Sequence, residues 1–279
     1  MKGIDCATRI TEQAARTLKS EGYAFAGRYL VPPGYSKALT KAEAEIILDA
    51  GVGLLLVWEL EAERIRRGAD TGRADGAYAR SLARQIGAPQ GTIIYFAADY
   101  GVPPADFGQI ESYLRAAAAE LGEYGCGVYG PYAVIEAMSA RDVCRGYWQC
   151  VGWSGGKHSA ARTVYQRLWS GAAECVALAA KLGFSVDIND CPDLEQAGIW
   201  TRREEPADEK EDEVEVKRYN RMEELPDWAQ PTVQKLIAKG CIQGSGGGTD
   251  EDGNPTDMDL SHDMVRVLVM NDRARVYDI

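Results

Sequence analysis

Four carboxylates fall at or near the ends of short apolar runs: Asp5 after KGI, Glu59 after GVGLLLVW, Asp99 after TIIYFAA and Asp187 within FSVDIND. Other short runs end in Tyr29, Tyr129, Trp148, Gln149 and Gln166, Asn189 follows Asp187 in its own run, and Tyr95 lies inside the run that Asp99 closes. If these runs are strands whose ends meet, four acids converge in one cleft. Their mutual repulsion raises at least one pKa, as a general acid near neutral pH requires. Pyranose faces stack on aromatic rings while their hydroxyls bond to amides and acids, so the interleaved side chains point to a sugar site. A single strand-end acid is as well explained by capping the next helix or pairing with an arginine; four together favour a cleft. Arg28, one position before Tyr29, is expected to face the opposite way.

Other catalytic chemistries find little material. The chain has only two histidines, His158 and His262, which weakens any Ser-His-Asp or Cys-His arrangement. Its seven cysteines (Cys6, Cys126, Cys144, Cys150, Cys175, Cys191 and Cys241) form no CxxC pair. Buried free thiols are expected, with neither a metal site nor a disulfide framework. No cofactor is indicated: neither GxGxxG nor GxxxxGK[ST] follows any strand.

The elements that must position the acids alternate along the first two hundred residues. Strands are expected at Lys2–Asp5, Phe25–Leu30, Val52–Glu59, Thr92–Asp99, Gly125–Tyr129, Gly146–Gln149, Thr163–Gln166 and Phe184–Asn189. Several are apolar on both faces, as parallel strands covered by helices are. Helices are expected at Thr11–Gly22, Thr40–Ala50, Ala74–Gly87, Phe107–Gly122, Tyr132–Ala140 and Gly171–Gly183; Ile110, Tyr113, Leu114, Ala117 and Leu121 keep the i, i+3, i+4, i+7 spacing of one buried face. Gly22, Gly51, Gly87 and Gly122 stand where helix C-termini favour glycine. Eight strands with helical crossovers predict an α/β chain folded as a (β/α)8 TIM-type barrel over residues 1–203, with its reactive groups at the C-terminal ends of the strands. A doubly wound open sheet is the rival.

After Trp200 the pattern breaks. The stretch TRREEPADEKEDEVEVKR is charge-dense, and 204–216 reads as an acidic linker. Residues 217–279 regain helical character around a glycine-rich loop and read as a small, mainly helical module, with Trp228, Val233, Leu236 and Ile237 on one helix face. The DEDGNPTD loop lacks the sixth-position glycine and twelfth-position glutamate of an EF-hand, which argues against calcium.

With 279 residues, 46% of them hydrophobic, the chain can bury one large domain and one small one. Its net charge of −11 argues against nucleic acid or anionic lipid as partner and leaves a neutral glycan open. No apolar run approaches the ~18 residues of a membrane span. The start MKGIDCATRI reads as a strand, without the basic and apolar regions of a signal peptide, so synthesis in the cytoplasm is expected, with release by lysis or a holin as the route to a wall substrate.

GIDCA, FAGRYL, the VWE strand end, GAPQGTIIYFAAD, YGCGVYGPY, YWQC followed by GWSGG, VYQ, and VDIND followed by GIW together resemble a glycoside-hydrolase-like domain family related in fold to the lysozymes of glycoside hydrolase family 25. The resemblance covers about residues 1–200. It implies a barrel and a role in bacterial cell walls, frequently in phage or prophage lysins. By the same resemblance Asp5 matches the first-strand Asp of the lysozymes and Asp187 their last-strand Asp. Their fourth strand ends Asp-x-Glu, with the Glu as general acid; here it reads Ala97-Ala98-Asp99, which keeps an acid at Asp99 and loses its partner two residues earlier. Glu59 is the candidate replacement for that partner. ELPDWAQPTVQKLIAKGCIQGSG followed by LSHDMVRVLVMNDR resembles a divergent S-layer-homology repeat, with Ser261-His262-Asp263 in place of its acid-bearing motif. That implies wall anchoring, with dimerisation through the module as the other expectation. The functional expectation is a lysin-like glycosidase acting on peptidoglycan or a related wall glycan. Its rivals are a non-catalytic glycan-binding barrel and an intracellular structural protein.

Overall fold

The polypeptide enters its first strand at once. In a computed structural model that describes residues 1–202 and 217–277, β1 (Lys2–Asp5), β2 (Tyr23–Tyr29), β3 (Gly53–Trp58), β4 (Ile93–Ala97), β5 (Gly125–Gly130), β6 (Gly146–Cys150), β7 (Val164–Leu168) and β8 (Asp187–Asp190) close into a barrel in sequence order. Six helices cover it: α1 (Glu12–Ser20), α2 (Lys41–Asp49), α3 (Ala69–Ile86), α4 (Phe107–Glu120), α5 (Tyr132–Ser139) and α6 (Ala173–Leu182). The expected α/β barrel is thus present, with a loop rather than a helix between β6 and β7.

Local chemistry explains most boundaries. Thr11 and Thr40 lie in extended conformation before α1 and α2, and their side chains accept the Ala14 and Glu43 amides that the first turn leaves unpaired. Gly87 ends α3 in the left-handed region (φ 84°), where a side chain would be strained. α3 begins five residues before the position expected from the sequence. Gly72 interrupts the apolar spacing there, yet it lies inside the helix because α4 passes so close that a Cβ would overlap the Tyr113 backbone.

The pleat sorts the strand residues into two layers. Leu55 and Val57 of β3 point into the barrel with Phe25, Ile93, Tyr95, Trp148 and Val164, whereas Leu54, Leu56 and Trp58 pack outward under the helices. Segment 191–200 closes the N-terminal end of the barrel: Leu54 and Trp200 exchange backbone hydrogen bonds of 2.7 and 2.9 Å, and Ala197 and Ile199 join the interior cluster. Arg28 does face outward, buried against α2, where Glu43 accepts its Nε at 2.7 Å and also accepts the Ile10 amide at 2.9 Å.

One strand departs from the expected barrel. β8 starts at Asp187 and runs antiparallel to both β1 and β7, pairing Asp5 with Asp187 and Lys2 with Asp190. Asp187 is therefore not at the C-terminal end of a parallel strand. It is the first residue of a reversed one, and reversal returns it to the mouth where Asp5 lies.

The chain divides into two compact units, Met1–Arg203 and Glu204–Ile279; the expected linker 204–216 lies outside the described residues. In the second unit, β9 (Arg218–Tyr219) pairs antiparallel with β10 (Leu260–Ser261), and α7 (Gln230–Ala238) and α8 (His262–Arg273) pack around Tyr219, Leu225, Val233, Leu236, Val265 and Val269. Trp228, expected on the buried face of the first helix, precedes α7 and is exposed, with its indole against the His262 ring. Ser261 caps α8 by accepting the Met264 amide. Asp250 accepts the amides of Asp252 and Asn254 and so folds the acidic loop on itself. Among the described residues, no helix is long and apolar enough to cross a membrane.

Candidate active site

The barrel mouth holds a cleft of about 250 Å³. Asp5, Glu59, Asp99 and Asp187 line it with Tyr29, Tyr129, Trp148 and Gln166. The ends of β1, β3 and β4 and the start of β8 therefore bring all four sequence-predicted acids together, and among the described residues none of them caps a helix or pairs with an arginine.

A directed hydrogen-bond chain fixes the floor. Tyr129 donates its hydroxyl to Gln166 Oε1 at 3.0 Å, which turns the amide so that Nε2 donates to Asp5 Oδ2 at 3.0 Å and to Asp187 Oδ2 at 3.1 Å. Asn189 Nδ2 donates to the same Asp5 oxygen at 2.7 Å, and Trp148 Nε1 in turn donates to Asn189 Oδ1 at 2.8 Å. Asp5 thus accepts two hydrogen bonds on one oxygen. The bonds favour its charge, but burial and the charge of Glu59 outweigh them and raise its pKa. Burial and the Asp5 charge push Asp187 up to about 7. Asp99 is raised as well, by burial first and then by Glu59 and Asp5. Its backbone amide donates to Ala62 O at 3.2 Å, tying the end of β4 to the loop that follows β3. Glu59 differs from the other three in pairing with a cation, Lys37, at 3.1 Å, and the same ammonium lies 4.1 Å from the centre of the Tyr29 ring.

Three expected sugar-binding residues lie elsewhere. Tyr95 points into the barrel two residues below the mouth and fills its floor, with its hydroxyl donating to Ala197 O at 2.8 Å. Glycines at its neighbours make the room: a Cβ on Gly127 would come within 2.7 Å of the Tyr95 ring, and one on Gly146 would overlap its hydroxyl. Gln149 has the opposite pleat from Trp148. It is buried outside the cleft, donating to Lys157 O at 2.7 Å and accepting the Ser159 amide at 2.8 Å, and so pins the loop between β6 and β7. Asn189 lies behind Asp5 and holds it, without lining the cleft.

Four lining or supporting residues carried no strand-end signal. Trp153 and Trp169 reach the cleft from loops and are 60% and 62% exposed. A tryptophan in a Gly-Trp-Ser-Gly-Gly loop has no core to enter, and that was the available signal for Trp153. Lys37 and Cys150 had none. Burial pushes the Cys150 thiol up to about 12, so it is a neutral wall group. Ala97 lines the cleft two residues before Asp99 and presents a methyl group there. Among the described residues, no group of three or more His, Cys, Asp or Glu is arranged to hold a metal ion.

The chain belongs to the Rv2525c-like, glycoside hydrolase-like domain family, whose sequence model matches residues 16–189. It is 36% identical over 145 residues to the uncharacterized protein YbfG of Bacillus subtilis (strain 168), a match covering 43% of this chain but only 20% of YbfG. The fold is similar to that of the Tat-secreted protein Rv2525c of Mycobacterium tuberculosis, solved with L-tartrate, at a TM-score of 0.61 and 21% identity over 72% of this chain and 98% of the other. An uncharacterized B. stearothermophilus protein is similar at a TM-score of 0.53, with 21% identity over 72% of this chain and all of its own.

Proposed function

We propose that the barrel is a glycosidase acting on peptidoglycan or a related bacterial wall glycan. The observation that carries this reading is the meeting of Asp5, Asp99 and Asp187 in one aromatic-walled cleft, with no arginine or lysine paired to any of the three among the described residues. Burial first, then the charges of Glu59 and Asp5, raise the Asp99 carboxyl in the direction a general acid needs, and Asp99 is the group assigned to protonate the leaving oxygen. Asp5, oriented by Gln166 and Asn189, is the carboxylate best placed to stabilise positive charge at the anomeric carbon or to direct a water, with Asp187 as its neighbour in that role. Glu59 is tied to Lys37, which makes it a support for the charge balance of the cleft rather than the acting base.

One observation favours a second reading, a barrel that binds wall glycan without cutting it: the methyl of Ala97 stands where the Asp of the lysozyme Asp-x-Glu pair is expected from the resemblance. Labelled peptidoglycan separates the two. The purified protein should release reducing ends, and Asp99→Asn should lose roughly 100-fold or more of that rate, the usual contribution of a general acid. Binding to walls with no release from either protein would refute the enzyme and leave the binder. For the second unit we propose wall anchoring in the manner of an S-layer-homology module, or pairing of two copies. Deleting 217–279 should cut wall pull-down; unchanged pull-down with a smaller oligomer would reject anchoring in favour of pairing.

A further inference from the structure

The rim of the cleft carries two indoles that the acid chemistry does not use. Trp153 follows β6 and Trp169 follows β7, and both line the cleft while being more than half exposed. Apolar rings of this size are ordinarily buried, so two of them turned to solvent at one mouth ask for a ligand.

Neither is a loose side chain. The loop of Trp153 is pinned by buried Gln149, which bonds to Lys157 and Ser159, and by Ser154, whose hydroxyl donates to Cys150 O at 2.6 Å. Trp153 itself sits in the left-handed region (φ 52°), an uncommon place for a large residue and one that its surroundings must impose. Glycines set where the rings go. A Cβ on Gly101 would come 3.2 Å from Trp153 Cδ1, and one on Gly171 would fall within the Trp169 ring.

The two rings are thus held by different loops of the mouth. Gly101, against Trp153, is two residues after Asp99. Trp169 follows β7, whose neighbour β8 begins at Asp187. The two indoles follow neighbouring strands and face the same cleft as the carboxylates.

Resting on the glycan reading above, we infer that Trp153 and Trp169 are stacking platforms for two different sugars of one chain, so that the cleft takes several consecutive residues of a linear pyranose polymer. A terminal sugar or a small aglycone would use one platform and leave the other wet. Two stacked faces on separate rings require a chain, and affinity must then grow with its length.

The test is calorimetric titration of the full chain, carrying Asp99→Asn so that no ligand is consumed, with N-acetylglucosamine monomer, dimer, tetramer and hexamer. Affinity should rise from monomer to tetramer. Trp153→Ala and Trp169→Ala should each weaken tetramer binding about tenfold, in the range found for truncating aromatic anchors, while Trp→Tyr at either position restores most of it. Because both rings are largely exposed, the variants should keep the parent far-UV spectrum and melting temperature. Equal affinity for all lengths, no binding at any length, or tetramer binding indifferent to both alanine variants would overturn the inference. Tryptophan-dependent binding of long oligomers, with no reducing ends from the wild-type protein, would leave the platforms standing and remove the glycosidase.

Discussion

Replacing Asp187 by Asn should stabilise the barrel at pH 8 and leave its stability nearly unchanged at pH 4. The carboxyl is raised from an ordinary 3.8 to about 7, by burial first and by the Asp5 charge second. An acid raised by folding binds its proton more tightly in the native state than in the unfolded one. Its ionisation therefore opposes folding. The penalty is complete above pH 7, shrinks as pH falls from 7 towards 3.8, and is gone below. At 1.36 kcal/mol per pH unit the full penalty is about 4 kcal/mol. Water reaches this half-buried group at the mouth, so screening leaves roughly 2 kcal/mol. Asparagine is the neutral isostere, and its side-chain oxygen still accepts from Gln166 Nε2, so the variant removes the charge and keeps the 3.1 Å contact. Urea unfolding followed by tryptophan fluorescence, for both proteins at steps from pH 4 to pH 8.5, measures the difference directly. Asp187→Asn being no more stable than wild type at pH 8, or gaining more at pH 5 than at pH 8, would refute the assignment of burial as the cause.

Two further variants test what holds the site in place. Glu43→Ala strands the buried Arg28 guanidinium and orphans the Ile10 amide just beyond Asp5; with both charged side chains fully buried, the loss should be about 3–5 kcal/mol, or roughly 6–20 °C in thermal melting, and Arg28→Met with Glu43→Leu should recover much of it. Gly72→Ala gains ~1 kcal/mol of helix propensity in α3 but drives a Cβ into the backbone of α4 at Tyr113, an overpacking cost of ~1–3 kcal/mol. The variant should melt lower than wild type, and a higher melting temperature would show that the two helices part freely.

Much of this was legible in the chain. β1 runs Lys2–Asp5, as its apolar residues required, and the threonines before α1 and α2 marked both helix starts. Strand-end acids could be placed because a strand's end is set by its own residues. Depth and direction could not. Tyr95 and Tyr129 carry the same local signal, but Gly127 and Gly146, on two other strands, sink the first into the floor, and only register reveals that. Gln149 and Trp148 are neighbours whose opposite pleats send one outward and the other into the cleft, a distinction that turns on knowing which parity faces in. The reversal of β8 leaves no trace in period or composition, because FSVDIND reads the same whichever way the strand runs.

That reversal also explains how the acid cluster survives. In an all-parallel barrel, Asp187 as the first residue of its strand would open at the opposite end from Asp5. Running antiparallel, β8 brings Asp187 level with Asp5 and carries Asn189 two residues deeper, onto the same inward pleat, where it bonds the Asp5 oxygen that Gln166 also holds. One short strand thereby supplies both the carboxyl that the Asp5 charge helps to raise and the amide that orients Asp5. A parallel strand carrying Asp187 and Asn189 with this spacing and with Asp187 at the mouth would run from Asp187 back into the floor only by inverting their order. The antiparallel direction is thus what the Asp-Ile-Asn order demands of a site built this way, and the raised carboxyl of Asp187 and the orientation of Asp5 are two consequences of a single topological choice.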